Sequence, residues 1–442
     1  MSEAVRGLDA THDPRRRSWV GSADGHPDFP IQNLPFGVFS PPGGTPRGGI
    51  AIGEEIFDIP AAAASGLFAG EAALAAEAAG GPTLNALMAL GAGPRRALRT
   101  RVAELLDAGG EQRRTVQGLP GLIHKAELCT LHLPAAIGDY TDFYAGIHHA
   151  THVGALLRPE SPLPPNYKYL PIAYHGRAST IVVSGAGIVR PAGQRKTREE
   201  EAPGFGPSRS LDFELELGIW IGPGNVIGAP IPIAGAAGHI AGFCLLNDWS
   251  ARDIQGWEYQ PLGPFLAKNF ATTISPWLIT PEALLPFRAG ASPRRGDPPL
   301  LAYLADEEDR RRGGLAVTLE ARLSTAAMRD RGLSPELLAR STTRHLYWTP
   351  AQLVAHHASG GCRLRSGDIF GSGTISGPEP GSFGSLLEIT EGGRRPLALG
   401  AGETRRFLED GDEVILSARA ERRGFVTIGF GDCAGRVVPA HG

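Results

Sequence analysis

The stretch 132–158, HLPAAIGDYTDFYAGIHHATHVGALLR, gathers titratable side chains among small and apolar residues. A core segment would not collect so many such groups, because burying them unpaired is costly. A surface segment would not alternate them with apolar residues such as Ile147 and Val153. The pattern predicts a loop and a helix start that line a cleft; a satisfied hydrogen-bond cluster is the alternative. The groups concerned are Asp139, Tyr140, Asp142, Tyr144, His148, His149, His152 and Arg158.

Acids alternate with apolar residues in a second stretch, LDFELELGIWIG at 211–222. Side chains two residues apart in a β-strand point to the same face, so Asp212, Glu214 and Glu216 would share one face. Successive carboxylates on that face stand roughly 6–7 Å apart, a separation that suits a cation held between them. The alternative is a solvent-facing acidic strand whose charges discourage pairing at a sheet edge.

A third segment, NDWSARDIQGWEYQPLGPFLAKNF at 247–270, places charged side chains in apolar surroundings. Asp248 ends an apolar run, and helical spacing would place Asp248, Arg252 and Gln255 along one side of a helix. Lys268, one of only four lysines in the chain, follows among apolar neighbours, with Thr272 four residues later. Charged groups in such surroundings are more often a functional site than a solvated surface.

The glycine-rich segment FGSGTISGPEPGSFGSLLEI at 370–389 indicates that the backbone closely approaches another group. Gly371, Gly373 and Gly377 have no side chain to block such an approach. Their spacing matches neither a dinucleotide-binding nor a P-loop pattern. Glu388 ends the segment in what the pattern predicts to be an apolar strand. An unpaired acid is costly there, so we expect a histidine partner.

The first third of the chain predicts a small unit of strands and helices. Residues 1–28 are predicted to form a loose arm, and 29–39 and 49–59 short strands. Gly53-Glu54 between two apolar runs is typical of a hairpin. The Ala- and Leu-rich range 61–107 predicts helices, with breaks at 80–82 and 91–94. We place a boundary near 115–135 and predict two domains, 1–134 and 135–442.

From about residue 136, strand-like runs separated by Gly and Pro loops predict a mainly β domain. The predicted strands include 179–185, 215–222 and 240–248. Helical candidates are few, at 250–257, 281–285, 335–341 and 349–358. The arginine-rich range 288–313 is predicted to be an exposed loop.

Composition excludes several classes of protein. The 442 residues are 42% hydrophobic and 20% charged, which is ordinary for a globular chain with a sizeable core. A net charge of −3 gives no electrostatic case for binding nucleic acid or an anionic membrane. The four cysteines are far apart, so we expect neither a zinc ribbon nor a disulfide framework. No segment is typical of a signal peptide or a membrane span, and we expect a cytoplasmic protein.

Five motifs make the chain resemble the fumarylacetoacetate hydrolase family: IGDYTDFYAGIHHATHVG, YHGRAS, LDFELELG, DWSARDIQGWEYQPLGPF and SGTISGPEPGSFGSLLE. The resemblance runs from FPIQNLPFGVFS (29–40) to GFGDCAGRVVPA (429–440). It implies a small SH3-like N-terminal barrel, a large β-roll C-terminal domain and a homodimer. It also implies a calcium- or magnesium-dependent enzyme that cleaves the C–C bond of a β-diketone, fumarylacetoacetate, to fumarate and acetoacetate. That reaction is the last step of tyrosine and phenylalanine breakdown.

The resemblance also implies a role for each matching residue. His149 would be the general base, paired with Glu388, and Arg252, Gln255 and Lys268 would face the oxyanion. The metal ligands would be Asp142, Glu214, Glu216 and Asp248, with Lys268 and Thr272 beside the ion. The substrate would be held by Tyr144, Arg158, Tyr174, Gln255, Tyr259 and Thr374. Four carboxylates form an all-oxygen ligand set, which suits a hard cation.

The chain departs from the family pattern at a few positions. Ala267 and Asn269 replace the usual Gly and Ser around the lysine, and Ala271 replaces a Gly. His148 and His152 stand where other polar residues are expected in animal members. These changes flank the implied ligands and bear on fine geometry more than on activity.

Other functions remain open on the sequence alone. Members of the same superfamily act as acylpyruvate hydrolases, oxaloacetate decarboxylases or hydratases. A calcium-stabilised binding protein without catalysis would need neither His149 nor Glu388. The pair His356-His357 is interpreted as structural.

Overall fold

A seven-stranded mixed sheet lies at the centre of the molecule, and the other parts pack against its two faces. The structure, a computed structural model, describes residues 7–197 and 199–441. In these two ranges no helix is long and apolar enough to cross a membrane.

The first 134 residues contain five strands and five helices. These are β1 (Phe36–Ser40), β2 (Arg47–Ile52), β3 (Glu55–Asp58), α1 (Ile59–Ala64), α2 (Gly70–Ala78), α3 (Asn85–Ala89), α4 (Ala92–Leu105), α5 (Arg113–Gln117), β4 (Ile123–Lys125) and β5 (Thr130–His132). The strands form one antiparallel sheet in the order β4-β3-β2-β1-β5. The predicted hairpin is confirmed, because Ile52 lies opposite Glu55 and Gly53 adopts a positive φ of 57°.

The following elements carry the chain to the middle of the second part: β6 (Tyr140–Phe143), α6 (Ile147–Leu157), β7 (Ala173–His175), β8 (Ile181–Val183), β9 (Gly187–Val189), β10 (Ala192–Arg195), β11 (Gly204–Pro207), β12 (Leu211–Asp212), β13 (Leu215–Ile221), α7 (Ile233–Ala236), β14 (Ile240–Asp248), β15 (Ser250–Ala251), α8 (Arg252–Glu258) and β16 (Thr272–Ile274). The remaining ones are β17 (Arg288–Ala289), α9 (Glu307–Arg312), β18 (Gly314–Leu315), β19 (Val317–Ser324), α10 (Ala326–Asp330), β20 (Glu336–Thr342), α11 (Pro350–Ala358), β21 (Ile369–Gly371), α12 (Leu386–Ile389), β22 (Leu397–Ala398), β23 (Thr404–Arg405), β24 (Glu413–Ala420), β25 (Ile428–Gly429) and β26 (Cys433–Val438).

Two large sheets dominate this second part. The central sheet has the order β7-β6-β21-β13-β14-β16-β8, and the second large sheet has the order β20-β19-β24-β26-β9, with β25 beside β24. Alternation along β13 explains how the central sheet is covered on both faces. Leu215, Leu217 and Ile219 join the core that includes the second large sheet, whereas Trp220 joins the core of the first 134 residues.

Several predictions about elements are confirmed. Helices occupy most of 61–107 and are interrupted near 80–82 and at Gly91, although Pro94 lies inside the first turn of α4. Helices also occur close to the predicted ranges 250–257 and 349–358, and β14 has the predicted bounds of 240–248.

Other predictions about elements are wrong. Residues 335–341 lie mostly in strand β20, which pairs with β19, because this tertiary pairing overrides local helix propensity. The range 281–285 forms turns that lead into a short 3-10 helix, Leu285–Phe287. The strand predicted for 29–39 begins only at Phe36. The range 288–313 contains β17 and α9 rather than a plain loop.

The N-terminal arm is not loose where the structure describes it. The indole N–H of Trp19 donates a 2.8 Å hydrogen bond to the carbonyl of Leu105, and Thr11 and Val20 are buried. Residues 1–6 lie outside the described ranges. The mainly β prediction is confirmed only in part, since helix and strand occupy similar shares of the described chain.

Candidate functional site

Four buried carboxylates meet at one end of the central sheet. Asp142 lies in β6, Glu216 in β13 and Asp248 at the end of β14, and Glu214 immediately precedes β13. One oxygen atom of each lies within 4.8 Å of those of the other three. The sheet register produces this meeting, because neighbouring strands place their acids on the same face. The alternative of a solvent-facing acidic strand is therefore wrong.

Gly371 of β21 makes room for this carboxylate cluster. It lies opposite Asp142 in the parallel pairing of β21 with β6. A Cβ atom at Gly371 would stand 2.3 Å from Asp142 Oδ1 and 2.8 Å from Glu216 Oε2. The close approach predicted from the glycine-rich segment is thus an approach of backbone to two carboxylates.

Two cations lie among the acids. Lys268 Nζ donates hydrogen bonds of 2.6 Å to both Glu214 Oε2 and Asp248 Oδ2. Arg252 forms ion pairs of 2.8 Å with Glu214 and 2.9 Å with Asp212. With Asp212 included, five buried carboxyl groups face two cationic side chains. The protein itself therefore leaves this region with an excess of acid.

Hydroxyl groups complete the surroundings of Asp248. The Tyr174 hydroxyl donates to Asp248 Oδ2 at 2.6 Å, and Thr272 Oγ1 donates to Asp248 Oδ1 at 3.0 Å. Thr272 stands directly opposite Asp248 in the pairing of β14 with β16. The structure thus brings the predicted residues Tyr174 and Thr272 to the carboxylate cluster.

The excess of acid shows in the pKa values of the cluster. Burial, followed by the charges of neighbouring carboxylates, raises the pKa of Asp142 and of Glu216 well above the ordinary range. Burial would also raise the pKa of Glu214, but Lys268, Arg252 and His149 outweigh it and hold the pKa below its usual range.

The donor set fits a hard divalent cation. Asp142 Oδ1 and Glu216 Oε1 are buried and accept no hydrogen bond from the described residues. Such orphaned anionic oxygens are costly unless they are paired or coordinate a metal. All ligand atoms on offer are carboxylate oxygens, the type that Ca²⁺ and Mg²⁺ prefer. The four carboxylates predicted as ligands are the four that the structure brings together.

A histidine–carboxylate pair forms the second part of the site. His149 of α6 and Glu388 of α12 are joined by a 2.6 Å contact between Nδ1 and Oε2, and both are buried. Ser376 and Ser385 each donate to the same oxygen of Glu388, at 2.8 and 2.9 Å. Burial would raise the pKa of Glu388, but His149 and these hydrogen bonds outweigh it and lower the pKa.

Asp212 links the two parts of the site. Its carboxylate accepts hydrogen bonds from the backbone N–H groups of Leu386 and Leu387, at the start of α12, and pairs with Arg252. It therefore holds the short helix that carries Glu388. The predicted common face of Asp212 with Glu214 and Glu216 is wrong, because regular pairing stops between β12 and β13.

The remaining predicted substrate residues are placed unevenly. The Tyr144 ring stands edge-on to His149 at 5.7 Å, and the Gln255 side-chain oxygen accepts a hydrogen bond from Arg252. Thr374 is buried beside the start of α6. Arg158 and Tyr259, at the ends of α6 and α8, stay outside this hydrogen-bonded network as far as the chain is described.

Two local predictions within the site are wrong. Glu388 lies in a short helix capped by Ser385, not in a strand. Asp248 lies in β14, so it shares no helix face with Arg252 and Gln255, although these two do share α8. The expected histidine partner of Glu388 is present.

Sequence reasoning missed the roles of Ser376 and His152. His152 Nδ1 lies 2.9 Å from the second oxygen of Glu388. The signal was available, because residues three apart in a helix share a face. His148 instead contacts the ring of His345, at 5.1 Å between ring centres.

Comparisons with known proteins agree with this site. Residues 140–438 match the family model described as fumarylacetoacetate hydrolase C-terminal, and 32–134 match that of fumarylacetoacetase N-terminal. Fumarylacetoacetase of Arabidopsis thaliana is 46% identical over 95% of this chain and 97% of its own length. The human enzyme is 46% identical over 93% of this chain and 97% of its own, and that of Caenorhabditis elegans 47% over the same shares.

A solved fumarylacetoacetate hydrolase from Exiguobacterium antarcticum shares the fold, with a TM-score of 0.51 at 16% identity. The alignment covers 92% of this chain and all of that one. The family models together span nearly the whole described sequence, and relatives approach half identity along it. The chain therefore belongs to the fumarylacetoacetate hydrolase family.

Proposed function

We propose that this protein is an enzyme that hydrolyses the C–C bond between the two carbonyl-bearing halves of fumarylacetoacetate, yielding fumarate and acetoacetate. The observation that carries the proposal is the buried His149–Glu388 pair beside a cluster of four carboxylates. Metal binding alone requires neither member of the pair, so the pair argues against a binding protein without catalysis. The names of relatives that align over nearly their full length support the choice of substrate.

His149 acts as the general base. Its Nδ1 faces Glu388, so Nε2 is the atom left to take a proton from water. The Glu388 carboxylate fixes the ring and stabilises the imidazolium that forms, as carboxylates do in related catalytic pairs. The hydroxide equivalent adds to the carbonyl carbon. The C–C bond then breaks with its electrons on the leaving carbon, and that carbon recovers the proton from His149.

Arg252 and Lys268 stabilise the negative charge that develops on the attacked carbonyl oxygen, assisted by Gln255. Their salt bridges hold them in place before the substrate arrives, so they need little reorganisation during the reaction. Tyr144, Arg158, Tyr174, Tyr259 and Thr374 are the residues that we assign to substrate binding. Arg158 suits one of the substrate's carboxylate ends, because guanidinium pairs well with carboxylate.

Asp142, Glu214, Glu216 and Asp248 would hold Ca²⁺ or Mg²⁺, with Lys268 and Thr272 beside the ion. A bound divalent cation would supply Lewis-acid polarisation of the carbonyl oxygens of the substrate. If the cluster serves this purpose, treatment with a chelator removes most of the activity and Mg²⁺ or Ca²⁺ restores it. Full activity in protein that elemental analysis shows to be metal-free would exclude the role.

We further propose the finer features that the resemblance implies. These are two domains, 1–134 and 135–442, the first an SH3-like barrel with added helices and the second a β-roll. They also include a homodimer, a cytoplasmic location and a place in tyrosine and phenylalanine catabolism. Four cysteines without a disulfide support a reducing compartment.

The test of the function is direct. Purified protein is mixed with fumarylacetoacetate, and the loss of its ultraviolet absorbance is followed while fumarate and acetoacetate are quantified. We expect one fumarate for each substrate molecule consumed. Substrate that stays intact in the presence of metal-loaded protein would refute the proposed function.

A further inference from the structure

Glu388 is shared by two histidines of the same helix. His149 approaches one carboxylate oxygen at 2.6 Å and His152 the other at 2.9 Å, each through Nδ1. The proposed reaction needs only the first contact. The second is therefore a feature that the mechanism does not yet explain.

The two histidines differ in their access to solvent. The side chains of His149 and Glu388 are 4% and 0% exposed, whereas that of His152 is 28% exposed. The His152 ring packs edge-on against Phe383, with ring centres 4.7 Å apart. Solvent can thus deliver a proton to His152 while the general base remains enclosed.

One carboxylate carries only one negative charge. When His152 is neutral, it donates its Nδ1–H to Glu388, and the full charge of Glu388 can stabilise an imidazolium at His149. When His152 is protonated, its positive charge offsets that of Glu388 and opposes a second positive charge on His149. The base then accepts a proton from water less readily.

We propose that His152 is a positioning residue that holds the second oxygen of Glu388, and that its protonation weakens His149 as the base. The proposal rests on the proposed function for its kinetic consequence, but its structural part does not. Imidazole is the side chain whose charge ordinarily changes between pH 5 and 8, so the effect falls in the physiological range.

Few other groups that titrate face His152. Glu388 faces it from α12, and His149 and His148 lie beside it on α6 itself. His345, from the segment after β20, contacts His148. His148 therefore provides a matched control, because it is a nearby imidazole whose ring contact is His345 and not Glu388.

The kinetic test measures kcat/KM from pH 5 to 9 in three variants. The amide nitrogen of Asn is bonded to Cγ, as Nδ1 of histidine is, so His152→Asn can keep the donor while removing the charge. We expect its plateau at high pH to match that of the wild type. We expect the midpoint of its acidic limb to move to lower pH by about half a unit or more, because a nearby positive charge is gone.

His152→Ala loses the donor as well, and its plateau should fall about tenfold, the usual effect of losing one hydrogen bond to a charged group. His148→Asn should leave both the plateau and the limb in place. The proposal is overturned if the limb of His152→Asn superimposes on that of the wild type. It is also overturned if His148→Asn moves the limb equally, or if His152→Asn loses the plateau as His152→Ala does.

Nitrogen-15 NMR of the histidine rings tests the structural part without substrate. Neutral His152, assigned by its absence in His152→Asn, should carry its proton on Nδ1. A neutral ring with the proton on Nε2 would overturn the shared contact. If the wild type fails to hydrolyse fumarylacetoacetate, the proposed function fails, and the NMR result alone then supports or overturns the sharing of Glu388.

Discussion

Lys268 illustrates at the scale of one residue how a contact leaves two roles to distinguish. It is buried, and its ammonium group donates to Glu214 and Asp248. As a structural counter-ion, its removal would leave buried acids underpaired and cost about 3–5 kcal/mol of stability. As a donor to the developing oxyanion, its removal would cost rate. We favour the second role, because a bound cation would already neutralise the acids.

The substitution Lys268→Met separates these roles, since it keeps the length and apolar stem but deletes the charge. In metal-loaded protein we expect Tm within a few degrees of that of the wild type. We expect kcat to fall by about 10²–10³, the usual effect of losing one oxyanion donor. A near-normal kcat with a sharply lowered Tm would restore the structural role. Thermal denaturation and steady-state kinetics on the same preparation decide.

Sequence reasoning reached the chemistry of these residues better than their contacts. Period two in β13 and the apolar setting of Lys268 pointed to a charged site. The pairing of His149 with Glu388 joins residues 239 positions apart. No local periodicity encodes such a contact, so this partner came from the resemblance. His152 was missed because attention rested on the identity of the base rather than on the helix face beside it.

At the scale of elements, β21 shows how a strand position can control the site. A side chain at Gly371 would meet the carboxylates of Asp142 and Glu216. We therefore expect Gly371→Ala to weaken binding of Mg²⁺ or Ca²⁺, measured by calorimetry, and to lower Tm by forcing buried groups apart. Overpacking of this kind typically costs about 1–3 kcal/mol.

Gly235 of α7 provides the control, because a Cβ atom there meets nothing within 4 Å. Gly235→Ala should leave metal affinity unchanged. Unaltered affinity and Tm in Gly371→Ala would mean that the carboxylates are not held as tightly as the structure shows.

Elements were predicted well where local pattern and tertiary packing agree. The hairpin β2–β3 and strand β14 follow from their glycine turn and apolar run. Residues 335–341 have good helix formers, yet they pair with β19 as the edge strand β20. Similarly, Glu388 follows a serine cap that begins a helix of a single turn. Such short or edge elements take their structure from partners that are distant in sequence.

At the scale of the whole molecule, the first 134 residues cover one face of the central sheet. Trp220, Leu246, Ile274 and Ile369 of that sheet are fully buried and belong to the same core as Phe36 and Leu98. Exposing a large apolar side chain costs about 1.5–3 kcal/mol. The unit that lacks catalytic residues is therefore needed to support the unit that contains them.

We expect a chain limited to residues 135–442 to aggregate or to melt well below the full chain. The full chain, purified in the same way, should unfold in one cooperative transition, followed by circular dichroism and calorimetry. If the shortened chain keeps the Tm of the full protein, the covered face contributes less than its burial indicates.

The central claim is that hydrolysis takes place at the His149–Glu388 pair. Adjacent histidines make the most direct test, because His149 faces Glu388 while His148 faces His345. We predict that His149→Gln folds with a normal circular dichroism spectrum and loses about 10²–10⁴-fold in kcat for fumarylacetoacetate, the usual range for general-base catalysis. His148→Gln should lose far less. A reversed order, with His148→Gln inactive and His149→Gln active, would contradict the account.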